Sequence, residues 1–135
     1  MLENLDAAFL ADFEGCRIPN FGFGHREHVR AAWAYIKRHG LATAAPAMEA
    51  AIRRFAAHHG HAGKYHHTLT MAWMHLVAAH AIPHPARTFV DFIGEHSRLL
   101  DTALIERFYS GDTLFSDRAR MQWIEPDLQP LPAIA

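Results

Sequence analysis

Apolar residues recur three and four positions apart along this chain, and a glycine or proline closes each run. A chain punctuated in this way is constrained to helices of modest length packed against one another. Leu2, Leu5, Phe9 and Phe13, with Leu10 beside them, are spaced for a first helix that Gly15 ends. Cys16 to Gly24 holds Pro19, Gly22 and Gly24 just after Gly15 and reads as a loop, with Phe21 and Phe23 expected to plug it into the core. From His25 to His39 the stripe His25, His28, Val29, Ala32 and Ile36 lies on one helical face, and Gly40 is the stop. Thr43 is expected to cap a second long helix, with Pro46 in its first turn and Met48, Ile52, Phe55 and His59 inward. A third starts near Tyr65 or His66, faces inward through His66, Leu69, Thr70, Trp73, Leu76, Val77 and His80, and ends before Pro83.

Thr88 to His96 and Asp101 to Tyr109 read as shorter helices, and Ser116 caps a last helical turn. Pro126, Pro130 and Pro132 forbid a helix beyond about residue 125, which leaves an extended or frayed tail. No segment of useful length alternates with a strand period. The expected fold is all-α: residues 1–135 as a single helical domain, a compact bundle of three long and several short helices. Half of the 135 residues are hydrophobic, enough for a real core.

The unusual component is histidine, at 12 residues. Three helices joined by short loops run up, down and up, which puts the starts of the first and third long helices at one pole together with the end of the second. His25, His28, His58, His59, His61, His66 and His67 all belong to that pole. Residues three apart on a helix stand ~5–6 Å apart at Cβ. His25 and His28 can therefore reach one ion at ~2.0–2.1 Å per nitrogen, and His66 would complete a three-histidine site with open positions. A helix start disfavours imidazolium, which keeps these rings neutral and able to ligate. His59 and His67 are the additional candidate ligands. Thr70 and Tyr65 are candidates to orient a ligand or substrate. Neutral imidazoles without thiolates suit Zn, Fe, Cu or Ni as the divalent transition metal. His80 lies ~21 Å along its helix from His66 and cannot share the site. The ordinary alternative for every one of these rings is a hydrogen-bonded core or loop histidine.

The formal charge of −1, from 13 basic and 14 acidic side chains, gives no electrostatic case for nucleic acid or an anionic membrane. Lone Cys16 excludes an internal disulfide. Glu3, Asp6 and Asp12 without a basic run do not make a signal peptide, and no stretch approaches ~18 apolar residues, so a cytoplasmic protein is expected.

The segments Phe23-Gly24-His25-Arg26-Glu27-His28-Val29 and Gly63-Lys64-Tyr65-His66-His67-Thr68-Leu69-Thr70, with Trp123-Ile124-Glu125-Pro126-Asp127-Leu128 near the end, resemble a group of small bacterial helical proteins of undefined function. Those carry an HxxH helix start and a GYHxTxT segment, and the residue after the second motif's histidine is often Glu where this chain has His67. The resemblance implies a single soluble domain that binds metal. Together the readings give the expectation of a small metalloenzyme, with a small molecule bound among Phe21, Phe23, Tyr65, Thr70 and Trp73. Zinc would imply hydrolysis or hydration, and iron or copper oxidative chemistry. The alternative is a non-enzymatic module that binds a metal, a ligand or a partner at the histidine pole. The pattern leaves the oligomeric state open.

Overall fold

A computed structural model describes Leu2 to Ile134. Among these residues the structure is helical and contains no strand. Seven α-helices follow one another: α1 Asn4–Glu14, α2 His25–His39, α3 Leu41–His58, α4 His67–Ala81, α5 Phe89–Glu95, α6 Gly111–Leu114 and α7 Asp117–Met121. Short 3-10 turns at Asn20–Gly22, Ala62–Lys64, Ser97–Leu100 and Thr102–Arg107 join them. The last of these replaces the short α-helix expected over Asp101 to Tyr109.

The central helix is α2, which packs against α3 on one side and α4 on the other, with α1 laid across α2 and α3. Its run from Ala31 to Ile36 is buried on every side, including Ala34, because neighbours cover nearly its whole circumference. A single residue, Gly40, makes the reversal into α3. Its φ of 77° is open to glycine at little cost, so α3 begins at Leu41 and not after Thr43. Pro46 therefore falls in the second turn, where its ring denies the helix one hydrogen bond.

The core joins Phe13, Phe55, Trp33, Phe89 and Phe92 with Leu10, Met48, Met74, Leu76 and Leu99. Two expected core residues are not in it. Leu5 is 81% exposed and Phe21 93% exposed, whereas Phe23 stacks on Phe13 at 4.6 Å between ring centres and meets Phe55 at 4.8 Å. The loop before α2 is thus pinned by one phenylalanine, not two.

Asp6 is the buried charge of the core. Its Oδ1 accepts from the Arg30 guanidinium at 3.0 and 3.1 Å, and its Oδ2 accepts the Phe89 backbone N–H at 3.0 Å. This carboxylate ties α1, α2 and α5 together. The proline-containing tail is extended and anchored. Ser110 donates from its backbone and its hydroxyl to Asp127, Tyr109 donates to the Ile124 carbonyl, and His75 donates to the Pro132 carbonyl. Buried Thr68 donates to the Gln122 carbonyl and accepts the Ile124 N–H. No helix among the described residues is long and apolar enough to cross a membrane.

Candidate functional site

The first turn of α2 is built to hold its histidines in place. Gly24 caps the helix, and Glu27 turns back so that its carboxylate accepts the Gly24 N–H at 2.8 Å. His25 and His28 then project from one face, one turn apart. His25 packs edge-on to Trp73 of α4, 4.4 Å between ring centres, and its Nε2–H donates to the Leu99 carbonyl at 2.8 Å. A carbonyl can only accept, so this bond fixes the tautomer and leaves Nδ1 as the ring's lone pair.

His28 differs from His25, His59, His66 and His67, whose rings are all hydrogen-bonded. It lies against Phe23 at 4.7 Å and is half-buried, and no side-chain hydrogen bond holds it among the described residues, although its nitrogens are not among the fully buried atoms left without a partner. Burial, and after it the charge of His25, lowers its pKa from the usual 6.5 to about 4, with Glu27 opposing the shift. The ring is neutral at physiological pH and carries an uncommitted lone pair.

Two cavities meet at His28. The inner one, about 340 Å³, runs between α2, α3 and α4, with Val29, Ala32, Met48 and Met74 as apolar walls and His25, His28, Thr70 and Trp73 among its lining. The outer one, about 330 Å³, is walled by Phe23, Ile52 and Phe55 and reaches His61, Lys64 and Tyr65. Phe23, His28, Leu69 and Thr70 line both. The starts of α2 and α4 and the end of α3 thus share one pole, as helix lengths and loops implied.

The three proposed metal ligands do not present three free lone pairs. His66 is not on the inward stripe of α4. It stands one residue before the helix as its N-cap, with Nδ1 accepting the Leu69 N–H at 3.1 Å and Nε2–H donating to the Leu114 carbonyl at 2.6 Å. Both nitrogens are used, and no ligating electron pair remains. Burial holds this ring's pKa below the usual value, with the Arg120 charge acting in the same direction and the bond to Leu114 opposing. Among the described residues no group of three His, Cys, Asp or Glu side chains could hold a metal ion.

The additional candidates are engaged elsewhere. His59 donates to the Ile18 carbonyl at 3.2 Å and packs on Phe55. Nδ1 of His67 accepts the Tyr65 hydroxyl at 3.0 Å, and its ring lies 3.8 Å from Glu49. Burial and the nearby Glu49 charge push the Tyr65 phenol up to about 12, which removes it as a proton donor of ordinary strength near neutrality. Thr70 donates to the His66 carbonyl at 2.8 Å, the ordinary threonine back-bond, and its oxygen still faces both cavities as an acceptor. Phe21 lines neither cavity.

The His66 cap makes a direct prediction. His66→Ala should cost about 2 kcal/mol, since it leaves the Leu69 N–H and the buried Leu114 carbonyl without partners. His66→Asn restores a good cap and should recover about half. Urea unfolding of the three proteins measures both values, and an alanine variant as stable as the parent would remove the capping role.

No family model matches this chain, and comparison with curated proteins and with solved structures finds no match to it either.

Proposed function

We propose that this chain binds a small, largely apolar molecule at the junction of the two cavities, and that His28 receives a hydrogen bond from a hydroxyl or N–H on it. The observation that carries the reading is His28 itself: a half-buried, neutral imidazole with no side-chain hydrogen bond among the described residues, facing space lined mainly by apolar side chains. A neutral ring nitrogen not used by the protein is open to a donor on a ligand. Concave, mostly apolar spaces with a few convergent polar groups are the usual form of a small-molecule site. A base with a pKa of about 4 is weak for proton abstraction near neutrality, which favours recognition over general-base catalysis.

A second reading keeps the metal at this pole with two histidines in place of three. It is favoured by His25, whose Nε2–H bond to a backbone carbonyl is the arrangement that orients a metal-ligating histidine. His25 Nδ1 and His28 would bind a divalent transition metal, with open positions for substrate.

Calorimetric titration with 4-propylphenol and 4-propyltoluene tests the first reading, using protein purified without a histidine tag. The phenol should bind several-fold more tightly, and His28→Leu should abolish the preference. Equal binding of both probes to the parent protein would refute it. Elemental analysis tests the second reading. Metal lost in His25→Ala and His28→Ala but kept in His66→Ala supports the pair, and metal absent from the parent counts against it.

A further inference from the structure

The outer cavity has charge of one sign at its mouth. Lys64 lines it, its ammonium has no hydrogen bond or ion pair among the described residues, and it sits with His61 on the loop between α3 and α4. Arg120 donates to the Gly63 carbonyl in the same loop, and its charge is felt as far in as His66. No carboxylate lines either cavity. Glu49, the nearest acid to Tyr65 and His67, is paired with Arg53 at 2.9 Å. The bond from Arg120 and the 3-10 turn Ala62–Lys64 hold the lysine on a defined arc of the rim.

We infer that the ligand of this cavity is an organic acid, whose carboxylate meets Lys64 at the mouth while its donor group meets His28 inside. This inference rests on the reading of the cavity as a ligand site. The lining supplies both ends of such a molecule: a neutral acceptor within, a free ammonium at the rim, and Ile52, Phe55, Phe23 and Leu69 between them. An amine-bearing analogue meets repulsion from Lys64 and finds no acid to compensate.

Three probes with one body separate the outcomes: 3-(4-hydroxyphenyl)propionate, 4-propylphenol and tyramine, titrated at low and high salt. The acid should bind about threefold to fivefold more tightly than 4-propylphenol at low salt, and tyramine more weakly than either, with both differences shrinking in high salt. Lys64→Gln should erase the preference for the acid over 4-propylphenol. If 4-propylphenol binds but the acid gains nothing, or if Lys64→Gln retains the gain, the organic-acid assignment is overturned and the His28 site stands. If no probe binds, both fall.

Discussion

Asp6→Ala is expected to lower the unfolding free energy by about 3 kcal/mol. Asp6 is 3% exposed and holds three donors, two from Arg30 and one from the Phe89 backbone. Alanine leaves a guanidinium, itself only 27% exposed, beside an empty space, and leaves a helix-end N–H buried without a partner. A fully enclosed pair would cost more, but the partial exposure of Arg30 lets water reclaim some of its charge. Asp6→Asn keeps an acceptor in place and should cost about half as much. Guanidinium unfolding with unchanged m-values is the measurement. A loss below about 1 kcal/mol for alanine would show that the carboxylate does not organise the junction of α1, α2 and α5.

Acid is expected to weaken the fold through His28. Its folded pKa of about 4 lies below the usual 6.5, so the unfolded chain takes up the proton first. The stabilising effect is fully present above pH 6.5, declines as pH falls from 6.5 to 4, and is gone below that. The window is worth about 3 kcal/mol at 1.36 kcal/mol per pKa unit. His66 and His80 are shifted in the same direction by burial and add to the slope. His28→Leu should flatten the stability–pH curve between 6.5 and 4 by about 3 kcal/mol, leaving the part due to the other groups. The curve is read from chemical unfolding at half-unit pH steps. A variant whose slope matches that of the parent would mean the ring is solvated.

These effects show what the sequence could and could not reveal. The helices were legible because their apolar spacing and their glycine and proline stops act locally. The shared pole followed from helix lengths and short loops, and the joint lining of the outer cavity by His28, Phe55 and Lys64 agrees with it. His66 was misjudged by one position in the chain. A histidine at the first helical turn points with the stripe, whereas one residue earlier the backbone is extended and the ring folds back to cap the helix. Thr43 lost its expected cap for a related reason, since Gly40 could reverse the chain alone and start α3 three residues sooner. Asp6, Thr68 and the anchored tail could not be seen in the sequence. Each depends on partners distant in sequence, 24 and 83 positions away for Asp6, 54 and 56 for Thr68, and 15 to 57 for the tail, and a lone acid or threonine on a helix carries no periodic signal of burial. Cys16 shows a smaller effect of the same kind: it, and not Gly15, takes the left-handed conformation at the end of α1, with φ 56°.

The central claim concerns one ring, half-buried, neutral and free to receive a donor. Nitrogen-15 NMR of the imidazole of His28, titrated from pH 7.5 to 3.5 with and without 4-propylphenol, tests it most directly. The account predicts a neutral ring down to about pH 5, a midpoint near 4, and a change in the nitrogen shift when the phenol binds. A midpoint at or above 6.5, or nitrogen shifts unmoved by the phenol at any concentration, would contradict it.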